Sequence, residues 1–276
     1  MGFTILNIQH IETQQLASLL IVPLEGKDFF GNLKELICRV LLDTENEKKP
    51  GKKMRDQHNN GGIKFLDCNT PKLPLEEIRQ IALDLYDLSG DFKPLQSERD
   101  QNYHIRTKSG ENYVFKLSNE DENPGVIDFQ IKALMHIKEQ DPALKVPRVL
   151  STREGSFSGL AKSSDGTEHI VHVLTYLPGT ILAEVEQTKT LWKNMGAFLA
   201  RLNISLRSFF HPHARHELLW DITRCADLRP YTIHITDAAA RQNIEQIFDH
   251  MAEDVLPKLK TLRHQVIHGD ANGMNS

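Results

Sequence analysis

Hydrophobic periodicity in this chain changes character at one dipeptide, Pro178-Gly179. Before it, apolar residues alternate in short runs with period two, as half-buried strands do. After it they recur three and four residues apart, as on one face of a helix. Strands gathered in one stretch and helices in the next predict an α+β chain rather than an alternating α/β one. Strands are read at 92–96, 103–107, 112–117, 157–161 and 169–176. Lys108-Ser109-Gly110-Glu111 has the residues of a hairpin turn between the second and third, and Asp165-Gly166 between the last two. A helix starts after Pro74, with Leu75, Ile78, Ala82 and Leu85 on one face, and ends at Ser89-Gly90. Another opens at Pro124, with Ile127, Ile131, Leu134 and Ile137 as its stripe.

Beyond the hinge, Leu191, Met195, Phe198, Leu202, Leu206 and Phe209 predict a long helix over 188–210. Thr236-Asp237 can cap the next, with Ile244, Ile247, Phe248, Met251 and Val255 on its buried face, and Pro257 should kink it. Both stripes read as ordinary core. Upstream, residues 1–70 form an extension. It holds two weak helical patterns, the second made by Leu33, Leu36, Ile37, Val40 and Leu41. Mixed charge with Pro, Gly and Asn over 43–62 reads as a disordered linker. The expected division is therefore an extension at 1–70, a strand-rich lobe at 71–176 and a helical part at 177–276.

A net charge of −4 over 276 residues leaves no basic footprint, so nucleic acid is not an expected partner. No apolar run is long enough to span a bilayer, so no membrane is expected either. Residues 8–24 are too polar for the apolar part of a signal peptide. The three cysteines, Cys38, Cys68 and Cys225, are scattered and odd in number, which fits a reducing compartment. The expected location is the cytoplasm.

The chemistry concentrates in four places. His268-Gly269-Asp270-Ala271-Asn272-Gly273-Met274-Asn275 follows the β-branched pair Val266-Ile267. An Asp with an Asn five positions later is the pattern of a kinase-type catalytic loop. Its carboxylate accepts the proton of an attacking hydroxyl, and its amide holds a magnesium ion on the phosphates. Gly269 suits the sharp turn before the Asp, and His268 reads as structural. Lys116 lies in the run Tyr113-Val114-Phe115-Lys116-Leu117, where a lysine among apolar neighbours needs an anionic partner. A helix carboxylate usually orients such a lysine. Here the helix offers Asp128, favoured by charge, and Gln130, favoured by spacing from Leu134, and both stay open. The turn Ser97-Glu98-Arg99-Asp100-Gln101-Asn102 lacks glycine, but its Ser hydroxyl, amides and Arg can reach phosphates. The extended hinge at Tyr176-Leu177 leaves backbone groups for a purine edge. His211, His213 and His216 read as a surface loop rather than a metal site, and Trp192 and Trp220 as packing.

These residues together resemble the aminoglycoside phosphotransferase family, whose H-G-D-x-x-x-x-N motif is met by His268 through Asn275. Within it the likeness is to the hydroxylysine kinases and their bacterial relatives. It is carried also by the segments at 97–102, 113–116, 128–130, 174–179 and 211–221, and it covers 75–276. The resemblance implies a protein-kinase-like, two-lobed α+β fold. Its N-lobe is an antiparallel five-stranded sheet with one helix, and its helical C-lobe is incomplete. It implies transfer of the γ-phosphate of GTP or ATP, with Mg2+, to a hydroxyl of a small amine or amino acid, hydroxylysine-like. Asp270 would be the catalytic base, Asn275 the metal ligand and Lys116 the phosphate contact, with Ser97, Tyr176 and Leu177 also at the nucleotide. The family's second metal-binding Asp has no counterpart, and Ala271 replaces the usual Leu. The expectation is a C-terminally truncated chain, inactive alone. The alternative is a non-catalytic nucleotide-binding or interaction protein derived from such a kinase.

Overall fold

A computed structural model describes residues 70–97, 99–215, 221–269 and 271, with backbone alone at 7–10, Ala183, Ile222 and His234. Most of the expected extension, including the helix at 33–41 and the linker at 43–62, lies outside the described residues, as do His216, Trp220, Asp270 and Asn275. The described residues fall into two units, one drawn from 7–9, 70–215 and 264–271 and the other from His10 and 221–263.

The first unit is built on a five-stranded antiparallel sheet of order β2-β3-β4-β6-β5. Its strands are β2 (Gly90–Leu95), β3 (Gln101–Thr107), β4 (Asn112–Leu117), β5 (Gly159–Lys162) and β6 (Glu168–Thr175). All five expected strands are present, with ends shifted by one or two residues. The turns are where glycine allows them: Gly110 has φ +91° and Gly166 φ +93°, in the left-handed region. Gly90 has another role. A side chain there would meet the Arg106 carbonyl oxygen across the ladder, so β2 can approach β3 only without one. Two further short strands, β1 (Asn7–His10) and β7 (His264–Ile267), form a separate pair.

Period-two alternation splits the sheet into two apolar faces. One carries Phe92, Tyr103, Ile105, Phe115, Leu117, Val171 and Val173 and packs on α1 (Leu75–Tyr86) through Ile78, Ile81, Ala82 and Tyr86. Each large side chain buried this way contributes about 1.5–3 kcal/mol. Helix α1 stops at Asp87, whose φ of +56° makes a left-handed cap, two residues before the Ser89-Gly90 end read from the sequence. The Tyr86 hydroxyl, deep in this face, donates to the Val171 carbonyl at 3.1 Å.

The opposite face presents Val114 and Leu174 to α2 (Pro124–Gln140), which contributes Phe129, Ala133, Leu134 and Ile137. Helix α2 opens at Pro124 as expected, and the structure adds a cap, the Asn123 side chain accepting from the Gly125 N–H at 2.8 Å. Helix α3 (Lys189–Ser205) joins the same core through Leu202, followed by Leu206 and Phe209. It ends five residues earlier than periodicity suggests, because Leu206 and Phe209 lie in a turn that keeps them pointing inward. Arg201 of α3 grips the carboxylate of Asp141, the C-cap of α2, with contacts of 2.7–3.0 Å. Strand β7 adds Val266 to this core, and the Gln265 side chain donates to the Asn203 carbonyl at 2.8 Å.

The second unit contains a 3-10 segment Ile222–His234, α4 (Ala238–His250), a π-turn Met251–Val255 and α5 (Leu256–Leu259). Asp237 caps α4 as expected, accepting from the N–H groups of Ala239 and Ala240. The disturbance expected of Pro257 takes the form of the π-turn just before it, since a proline cannot donate to the preceding turn. Cys225, Leu228, Phe248, Met251, Val255 and Leu259 form its core.

Candidate active site

On the α2-facing side of the sheet, residues that stand opposite each other form cross-strand rows. Asn102, Lys116 and His172 make one row, and His104, Val114 and Leu174 make the next. Moving between them, two residues along the strands, is a step of about 6.6 Å. The first row is polar and buried, and the second is largely apolar. Lys116 is 6% exposed. An ammonium so enclosed requires compensation, and the Asp100 carboxylate lies 4.0 Å from its Nζ. His172 is its neighbour on the other side. Burial, helped by the Lys116 charge, pushes the His172 imidazole down to about 3, so it is neutral at physiological pH. The Oδ1 of Asn102 and the Nδ1 of His172 are buried without a hydrogen-bond partner among the described residues.

Asp100 is held from two sides. Its N–H donates to the Ser97 hydroxyl at 3.2 Å, and its Oδ1 accepts from the Asn119 N–H at 3.4 Å. The turn between β2 and β3 is thereby tied to the segment after β4. Ser97 serves that turn and is not among the residues lining the cavity described next.

Asn102, Lys116, Val114 and Leu174 face a cavity of about 360 Å³, within the range of small-molecule sites. The hinge 175–180, with Tyr176 and Leu177, forms another wall, and His268 and Ala271 a third. Tyr176 stacks on His104 of the second row, ring centroids 4.3 Å apart, which fixes its orientation. Its N–H donates to the Asn112 carbonyl at 2.9 Å, and the Thr175 N–H to that of Arg148 at 2.8 Å. One residue further, the Leu177 N–H makes no hydrogen bond to the described residues. Met195, Phe198 and Leu199 of α3 complete the apolar side.

His268 is buried at the end of β7, and Gly269 follows with φ +73°. That left-handed turn is the conformation the glycine before Asp270 was expected to supply. Asp270 and Asn275 themselves lie outside the described residues.

Of the two α2 candidates for the partner of Lys116, Asp128 is engaged elsewhere. It accepts from Lys132 Nζ at 2.7 Å and pairs with His211 Nε2 at 3.0 Å. Burial pushes its carboxyl up, but those two hydrogen bonds and charges outweigh it and hold it below the ordinary range. Gln130 is half-buried on α2. His211, read from sequence as part of a surface loop, is enclosed instead, between Asp128 and the rings of Phe129 and Phe209. No cluster among the described residues is suited to a metal ion. Trp192, expected to pack, is half-exposed on α3.

The sequence offered Asn102 only as one of the amides of the 97–102 turn, and it gave no role to Asp100 or to the α3 residues. A signal for Asn102 was available: the hairpin register sets it opposite Lys116. Met195 and Phe198 carry no such signal, since a helix stripe bordering a cavity reads like one bordering a core.

A model of the phosphotransferase enzyme family matches residues 91–275. Among curated proteins the chain is 28% identical to a hydroxylysine kinase of Danio rerio over 216 residues, 74% of this chain and 60% of that protein. It is 28% identical to the Mus musculus hydroxylysine kinase over 198 residues, 67% and 53% of the two. The chain thus spans between half and two thirds of these relatives. Among solved structures it is similar to an amicoumacin kinase in complex with AMP-PNP, Ca2+ and Ami. That match has a TM-score of 0.51 at 14% identity and covers 68% of this chain and 54% of the other. The fold is that of the kinase-like phosphotransferases, mixed α+β on a five-stranded antiparallel sheet.

Proposed function

Because this chain belongs to the phosphotransferase enzyme family of aminoglycoside phosphotransferase type, we propose that its cavity binds ATP or GTP. The terminal phosphate of the nucleotide then passes to a hydroxyl on a small amine or amino acid, with hydroxylysine or a close analogue as acceptor. The observation that carries this reading is that one cavity is shared by Lys116, the hinge at Tyr176-Leu177 and His268, next to the Gly269 turn.

In this mechanism the purine edge pairs with backbone groups of the hinge, the Leu177 N–H among them. Val114, Leu174 and Phe198 enclose the ring and exclude water. The Lys116 ammonium contacts the phosphates, and its charge is strengthened by the low polarity around it. Asp270 aligns the acceptor hydroxyl and takes its proton as the phosphoryl group departs. The cation is magnesium, an ion that keeps waters and binds mainly through phosphates. Asn275 would hold it through a hard amide oxygen, and the bound ion would neutralise charge on the phosphate oxygens. The proposed compartment is the cytoplasm, and among the described residues no helix is long and apolar enough to cross a membrane.

Calorimetric titration of the full chain with ATP, GTP and AMP in magnesium buffer tests the donor half. Phosphate transfer from labelled nucleotide to hydroxylysine, a simple amino alcohol and an aminoglycoside tests the acceptor half. Transfer abolished by Asp270→Ala supports the kinase reading. Nucleotide binding without transfer supports the non-catalytic nucleotide-binding alternative, and no nucleotide binding overturns both of these and leaves only an interaction role.

A further inference from the structure

Helix α2 carries two carboxylates, Asp128 and Glu139. The first is tied to Lys132 and His211, and the second is exposed near the C-terminus of the helix. Neither forms an ion pair with Lys116. The one described carboxylate that does is Asp100, and it comes from the turn between β2 and β3. Its placement is built rather than incidental. The Ser97 hydroxyl accepts its N–H, the Asn119 N–H holds one carboxylate oxygen, and the other oxygen faces the ammonium. His172, across the ladder, is neutral and adds no charge of either sign. The enclosed ammonium is therefore compensated from the strand turn and not from the helix.

We propose that Asp100 is the positioning residue for Lys116, and that the β2–β3 turn, not helix α2, aims the ammonium at the phosphates of the donor. This inference rests on the proposed nucleotide site. It makes the turn a two-part device: it borders the cavity, and it carries the counter-charge of the lysine that works inside it.

A double-mutant cycle on the full chain tests this, reading ATP and AMP affinity by calorimetry in magnesium buffer. Asp100→Asn is expected to weaken ATP about tenfold and AMP no more than about twofold in the wild-type background. In a Lys116→Met background the same change is expected to cost ATP nothing further, because the group it positions is gone. A merely structural role would weaken both nucleotides, and would do so in either background. Asp100→Glu keeps the charge and is expected to recover most of the loss, which guards against a folding defect in the Asn variant. Equal losses with and without Lys116 overturn the inference, as does a loss at Asp128→Asn with none at Asp100→Asn. If the wild-type chain binds no nucleotide, the proposed function falls and this inference falls with it. If it binds ATP and Lys116→Met weakens that binding while Asp100→Asn does not, only this inference falls.

Discussion

His172 stands directly across the β4–β6 ladder from Lys116, so an imidazole and an ammonium share one buried row. The unfolded chain frees that imidazole to titrate near 6.5, whereas the folded chain holds it down at about 3. Between those values the unfolded state binds the extra proton, so stability is fully present above about 6.5 and falls as the pH drops toward 3. The slope from this one group is at most about 1.4 kcal/mol per pH unit. Urea unfolding from pH 7 to pH 4 should show the decline, and His172→Leu should flatten it.

Lys116 lies in a setting where a charge is costly to bury. Its counter-charge is the largely enclosed Asp100, and removing one partner of such a pair leaves the other charge uncompensated. Lys116→Met should therefore destabilise the folded chain, by about 1–3 kcal/mol, as well as weakening ATP. Thermal unfolding with and without nucleotide measures both effects on one sample. A variant that is more stable than the wild type would contradict the pairing of Lys116 with Asp100.

Gly90 admits no side chain because the Arg106 carbonyl oxygen occupies the space. Gly90→Ala forces β2 away from β3 and should cost about 1–3 kcal/mol, the range for overpacked sites. The urea midpoint should fall without a change in slope. Gly179→Ala, where nothing lies within 4 Å, is the control.

Gly269 has φ +73°, a conformation that costs other residues about 1–2 kcal/mol. Gly269→Ala should lower stability by that amount. It should also reduce phosphate transfer more than nucleotide binding, because the strain falls at the turn before Asp270. Comparing calorimetric affinity with transfer rate on the same variant checks this.

The Arg201–Asp141 pair is bidentate but half-exposed on the Arg side. Exposed pairs contribute about 0.2–1 kcal/mol and are screened by salt. Asp141→Ala should cost no more than that, and the difference from wild type should shrink in 1 M NaCl, an ionic strength at which the screening length is about 3 Å.

Local rules read much of the fold. The β3–β4 hairpin was legible because its alternation and its glycine turn agree, and the start of α2 because a proline in the first helical turn is a local signal. The 3-10 segment Ile222–His234 was not, since it carries Pro230 and no helical period. The site was half legible. Lys116 stood out as a charge inside an apolar run, but its counter-charge did not. Which of several nearby carboxylates reaches it depends on how the turn at 97–100 folds over the sheet, and residue spacing along α2 cannot report that. His211 was misread for a related reason. Beside Pro212 it resembles a surface loop, and only the return of the chain onto Phe129 and Asp128 encloses it.

Helix α3 belongs to two environments. Leu202 is anchored in the core with Phe129 and Leu134, while Met195, Phe198 and Leu199 border the cavity proposed for the nucleotide one to two turns earlier. Such a rod behaves like a cantilever: a small tilt at its fixed end is magnified at its free one. Trimming Leu202 would then be felt as a wider, looser berth for the purine, although that side chain never touches it. Screens for altered donor preference should look among the roots of this helix as well as along the walls of the chamber.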